Sequence, residues 1–135
     1  MTMPHPDLRR VRLLVAEDEW LILDRIERAL DGSRYAIVAK APSLQHALRL
    51  ADEATFDAAV LDGNLDGQLT AALATRLRAI RIPVLMLTAY AGSTRPPLPA
   101  GAPMLMKPFS GEALVSALDR LIGDHSPLDH RPNAG

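Results

Sequence analysis

Four places along the chain carry residues that together could handle a phosphoryl group: Glu17-Asp18-Glu19, Asp62 before Gly63, Thr88, and Lys107 before Pro108. Carboxylates packed together repel one another unless a hard cation neutralises them, and Mg²⁺ prefers oxygen ligands. A carboxylate can attack a phosphoryl group to give an acyl phosphate. The charge on the equatorial oxygens of the transferring group can be stabilised by a metal, a lysine, and hydroxyl or backbone donors. Taken singly, each residue has a plainer role. Asp18 could cap a helix, Asp62 could be a turn residue, Thr88 could be structural, and Lys107 could be a surface charge. Their joint occurrence, each at the end of its own strand, is what points to a site.

The elements that must position them can be read from hydrophobic periodicity. Val11 to Ala16 is an apolar run broken only by Arg12, as in a buried parallel strand. From Glu19 to Leu30, the apolar residues Ile22, Ile26, Ala29 and Leu30 recur at helical spacing, and Asp31-Gly32 is a stop signal. Tyr35 to Ala39 reads as a second strand. Ser43 can cap a helix that buries Leu44, Ala47, Leu48 and Ala51. Ala58 to Leu61 is a third strand, and Leu69 to Ile80 is helical in composition. Pro83 opens a fourth strand, Val84 to Leu87. The next stretch, Ala91 to Pro103, holds Pro96, Pro97, Pro99 and Pro103, which disfavour a full helix. Met104 to Met106 is a short fifth strand. Glu112 to Ile122 is a last amphipathic helix, capped by Ser110.

This alternation predicts an α/β fold: a doubly wound five-stranded parallel sheet, flavodoxin-like with strand order 2-1-3-4-5, and a degraded fourth helix. The first strand lies centrally, with the third, fourth and fifth to one side. Ligands in such sheets bind beyond the carboxyl ends of the strands, where the acids, Thr88 and Lys107 all fall. Residues 1–10 are expected to be a flexible arm, 11–122 the domain, and 123–135 a disordered tail.

Composition narrows the function classes. A formal net charge of −1 argues against direct DNA binding, which usually needs a basic excess. There is no cysteine, which excludes disulfides, thiolate metal sites and cysteine nucleophiles. No apolar run reaches the roughly 18 residues of a membrane span, and the N-terminus does not read as a secretory signal. The expected location is cytoplasmic.

The blocks Leu13-Leu14-Val15-Ala16-Glu17-Asp18-Glu19, Val60-Leu61-Asp62-Gly63-Asn64-Leu65, Leu87-Thr88-Ala89-Tyr90 and Met106-Lys107-Pro108-Phe109 resemble the signatures of response regulator receiver domains (CheY-like). The resemblance covers roughly Val11 to Ile122. It implies that Asp62 accepts a phosphoryl group from a histidine on a sensor histidine kinase or histidine phosphotransfer protein. It further implies Mg²⁺ held by Asp18, Asp62 and the backbone carbonyl of Asn64, with Glu17 acting mainly through water. Thr88 would hydrogen-bond the phosphoryl group and move toward it, Lys107 would pair with a phosphoryl oxygen, and the Lys107–Pro108 peptide would be cis. The chain would be a phosphoacceptor rather than an enzyme, with self-catalysed phosphotransfer and autodephosphorylation at most. With no room for an output domain after Ile122, it is expected to work through contact with a downstream protein. The rival reading is a Mg²⁺-dependent phosphohydrolase with Asp62 as nucleophile; such enzymes usually carry a second acid two residues on, where this chain has Asn64.

Two departures concern the switch and the surfaces. Many receivers carry Tyr or Phe three residues before the lysine, where this chain has Met104; its aromatic is Tyr90, two residues after Thr88. The Leu87-Thr88-Ala89-Tyr90 run and the prolines after it resemble in part the stand-alone FAT GUY subgroup, which has Gly at the place of Ala89. The prolines also argue against a dimer through the fourth-helix face, so a monomer is expected. Trp20, Leu21 and Leu23 cannot all face inward beside Ile22 and Ile26, and the resemblance places the phosphodonor partner on that helix. His125 and His130 lack a scaffold that would make them a metal site. If Tyr90 gates the pocket in place of the missing aromatic, Tyr90→Ala should change phosphoryl lifetime or partner affinity. Both quantities staying at wild-type values would remove that role.

Overall fold

The computed structural model describes residues 10–53, 55–89 and 101–123. The expected arm up to residue 9, the expected switch residue Tyr90, the stretch 91–100 that carries most of the degraded-helix expectation, and His125 and His130 lie outside the described residues.

The elements run β1 (Val11–Ala16), α1 (Trp20–Leu30), β2 (Tyr35–Ala41), α2 (Leu44–Glu53), β3 (Ala58–Asp62), β4 (Asn64–Leu65), β5 (Gln68–Leu69), α3 (Ala71–Ala79), β6 (Val84–Ala89), β7 (Met104–Lys107) and α4 (Gly111–Ile122). The main sheet is parallel throughout, in the order β2-β1-β3-β6-β7. Counting only its own strands, this is the expected 2-1-3-4-5.

Strand periodicity explains why the central strands are apolar on both faces. Successive side chains point to opposite sides. Leu13 and Val15 of β1, Ala58 and Val60 of β3, and Leu85 and Leu87 of β6 enter one core with Ile26 and Leu30 of α1 and Leu114 and Leu118 of α4. Their neighbours Leu14, Ala16, Ala59, Leu61, Val84 and Met86 enter a second core with Ala47 and Ala51 of α2 and Leu73, Ala74 and Leu77 of α3. Helices thus cover both faces, as the uninterrupted apolar runs require.

Two helix starts are fixed by the serines expected to cap them. Ser43 Oγ accepts from the His46 amide at 3.1 Å, and Ser110 Oγ accepts from the Ala113 amide at 3.0 Å. At the amino end of the sheet Arg12, the one charge in β1, makes a forked contact with Asp57: Nε to Oδ2 and Nη2 to Oδ1, both at 3.1 Å.

The segment after β3 differs from the expectation of a helix beginning at Leu69. Gln68–Leu69 instead pair with Asn64–Leu65 in a two-stranded antiparallel ladder, and the helix starts at Ala71. The cause is the Asp66-Gly67 turn. Both residues have positive φ, 51° and 88°, as a two-residue type I′ hairpin loop demands. Nothing lies within 4 Å of where a Cβ on Gly67 would sit, so a substitution there meets backbone strain alone. Gly67→Ala should therefore lower stability by about 1 kcal/mol in urea unfolding; an unchanged midpoint would contradict this account of the turn.

Candidate functional site

Register brings the chemistry to one end of the sheet. Asp62 is the last residue of β3 and pairs with Leu87, next to Thr88; Ala89 pairs with Lys107 at the end of β7. The β1 strand ends at Ala16, and the Glu17 amide donates to the carbonyl of Ala41 at 3.0 Å, which fixes the start of the acidic loop.

Glu17 and Asp62 are buried, at 2% and 6% relative exposure, whereas Asp18 is exposed. One carboxylate oxygen from each of the three lies within 4.8 Å of the others. Lys107 Nζ lies 3.0 Å from Asp62 Oδ2, 3.1 Å from Glu17 Oε1 and 3.8 Å from Glu19 Oε1. The other Asp62 oxygen, Oδ1, accepts from the Asn64 amide at 3.1 Å. Glu17 Oε2 accepts from the Glu19 amide at 3.1 Å. Thr88 is buried, its hydroxyl 3.4 Å from the carbonyl of Ala89. The Lys107–Pro108 peptide is cis.

Electrostatics follow from this crowding. Burial, and then the charge of Asp62, push Glu17 up to about 7, only partly offset by Lys107 and the Glu19 amide. Burial pulls Lys107 down, but its hydrogen bond and charge pairing with Asp62, and those with Glu17, leave its pKa raised. The donor set suits a hard divalent cation. Three carboxylates converge, and the buried Glu17 Oε1 has no hydrogen bond, since its contact with Lys107 lies outside hydrogen-bond geometry.

The fold therefore brings Glu17, Asp18, Asp62 and Lys107 together, with Thr88 beside them and Asn64 tied to Asp62 through its amide. The Asn64 side chain turns away, its Oδ1 accepting from the Gly67 amide at 2.7 Å. On α1, Trp20 and Leu21 are 73% and 65% exposed, while Leu23 is half-buried against the core. Sequence reading missed Thr70, whose buried hydroxyl donates to the main-chain carbonyl of Asp62 at 2.7 Å. The available signal, a threonine just ahead of a helical run, suggests a cap. Thr70 does hold the N-cap position, but its side chain makes no cap hydrogen bond.

A family model for the response regulator receiver domain matches residues 13–119. Among solved structures, that of SdrG from Sphingomonas melonis Fr1 is 29% identical, with a TM-score of 0.73, covering 84% of this chain and 98% of the other. The receiver domain of sensor histidine kinase PA1611 from Pseudomonas aeruginosa PAO1 is 25% identical, with a TM-score of 0.71, covering 85% of this chain and 99% of that one. It is described with a magnesium ion coordinated in its active site cleft. No curated protein sequence gives a significant match.

The raised Glu17 pKa has a signed consequence for stability. The fold disfavours the ionised carboxylate, so this contribution is present below the ordinary value of 4.5 and is lost as pH rises toward about 7. In chelator-treated protein, urea-unfolding stability should fall over that range by on the order of 1–3 kcal/mol more in wild type than in Glu17→Gln. Excess Mg²⁺ should shrink the difference. Parallel pH profiles of the two proteins without metal would refute the assignment.

Proposed function

Because the chain belongs to the response regulator receiver domain family, we propose that Asp62 accepts a phosphoryl group from a histidine of a sensor histidine kinase or histidine phosphotransfer protein. The chain then signals by contact with a downstream protein. Receiver domains are modules of two-component signalling and are phosphoacceptors rather than enzymes in the usual sense.

The observation that carries this reading is the buried Asp62 carboxylate, anchored at Oδ1 by the Asn64 amide and at Oδ2 by Lys107. An anchored carboxylate is a nucleophile already aimed. In the transfer, an Asp62 oxygen bonds to phosphorus while the phosphorus–nitrogen bond to the donor imidazole breaks, and the imidazole leaves with the electron pair. Lys107, 3.0 Å away, balances charge on the incoming group. Thr88, buried next to the register partner of Asp62, supplies a hydroxyl whose present contact is long enough to give up.

Asp18, Asp62 and the backbone carbonyl of Asn64 are the proposed direct Mg²⁺ ligands, with Glu17 acting mainly through water. When bound, the ion supplies positive charge for the phosphoryl oxygens. Hydrolysis of the acyl phosphate at the same site would return the resting state. The exposed pair Trp20 and Leu21, with Leu23 at its inner rim, is the proposed docking face for the phosphodonor, since it adjoins the acidic loop. Among the described residues no helix is long and apolar enough to cross a membrane, which accords with the proposed cytoplasmic setting. A monomer that does not bind DNA remains the proposed state.

Mg²⁺ and acetyl phosphate together should add one phosphoryl group to the wild-type chain, read by intact mass, and none to Asp62→Asn. Chelation of the metal should suppress the labelling. A label that survives Asp62→Asn would remove the proposal, and steady turnover of a generic phosphomonoester would replace it with the phosphohydrolase, for which Asn64 supplies no second acid.

A further inference from the structure

We propose that Thr70 is a positioning residue for the phosphoacceptor, acting through the Asp62–Gly63 main chain and not on the phosphoryl group. This rests on the reading of Asp62 as the acceptor.

Thr70 makes two bonds to consecutive peptide groups. Its hydroxyl donates to the Asp62 carbonyl at 2.7 Å, and its amide donates to the Gly63 carbonyl at 3.1 Å. The side chain is fully buried. Pairing of β3 with β1 ends at Leu61, so the Asp62 carbonyl lies past that ladder and the Thr70 hydroxyl supplies it with a donor. The same peptide segment leads to the Asn64 amide, which holds Asp62 Oδ1 at 3.1 Å. Asn64 in turn pairs with Leu69, the residue before Thr70.

The connections therefore close into a ring. The hairpin folds the chain back, Thr70 lands beneath Asp62, and the peptide it holds orients the amide that holds the carboxylate. A buried acceptor left without its donor is costly, and an attacking group is sensitive to displacements well under an ångström. An ordinary capping threonine would direct its oxygen to an amide of the first helical turn; here the hydroxyl is committed to the acceptor residue itself.

Thr70→Val removes the hydroxyl and keeps the shape. Hydrogen exchange in the metal-free protein should then speed up at the Asn64 amide by about 10-fold relative to the Leu13 and Val15 amides of β1, as expected for loss of one net hydrogen bond. Mg²⁺ affinity by calorimetry and the rate of acetyl-phosphate labelling should both fall several-fold, and Thr70→Ser should restore all three. Thr70→Ser and Thr70→Ala both lack the methyl and differ only in the hydroxyl, so comparing them decides the matter if valine disturbs the fold. Equal Asn64 exchange and equal Mg²⁺ affinity with and without the hydroxyl would overturn the proposal. So would a rise in exchange at Asn64 no larger than at Leu13 and Val15, which marks a purely structural role. If the wild type takes no label at all, the phosphoacceptor reading fails; the exchange and Mg²⁺ measurements still decide whether Thr70 positions Asp62.

Discussion

One ammonium group lies between two buried carboxylates, and much of the fold serves to place it there. Lys107 Nζ is 3.0 Å from Asp62 and 3.1 Å from Glu17. At an effective dielectric near 20, each such contact has a gross attraction of roughly 5 kcal/mol. Removing the ions from water costs several kcal/mol apiece, so the arrangement is a weak source of stability. Its importance is that, among the described residues, one cation serves a cluster of acids that also includes Asp18 and Glu19. The shortfall of positive charge is what a proton on Glu17, or a divalent cation, would relieve.

The sheet makes that shortfall tolerable. Glu17 and Asp62 leave β1 and β3, adjacent strands whose apolar residues fill both cores. A backbone held from two sides can keep like charges close because neither strand can relax away. The amino end of the same sheet offers a contrast. There Arg12 grips Asp57 through both carboxylate oxygens, a forked contact of one acid with one base. The two ends share the same strands and differ in whether, among the described residues, the acids outnumber the bases.

The sheet and the main groups of the site were legible because both rest on strong sequence signals. Apolar runs of strand length alternate with helical periods, and each reactive residue sits directly after a run. What escaped was local. Asp66-Gly67 is a recognised hairpin signal, but it lay inside a segment whose alanine-rich continuation read as helix, and the turn prevailed over composition at Gln68 and Leu69. Thr70 was invisible for a different reason. Its preference for helix starts was satisfied by position alone, and only coordinates show its hydroxyl on the Asp62 carbonyl. Likewise, the amphipathic reading of α1 could not say which of Trp20, Leu21 and Leu23 would turn inward.

The chain separation within the site bears on how the protein comes to exist. Glu17 and Lys107 are 90 positions apart, and β7 is an edge strand paired, among the described residues, with β6 alone. During synthesis the acids emerge long before the lysine. Contacts of such long sequence separation form late and slowly. A chain lacking β7 therefore carries the repulsion among its acids without the cation that offsets it. Competence for the chemistry of the site therefore waits on the last strand to join the sheet.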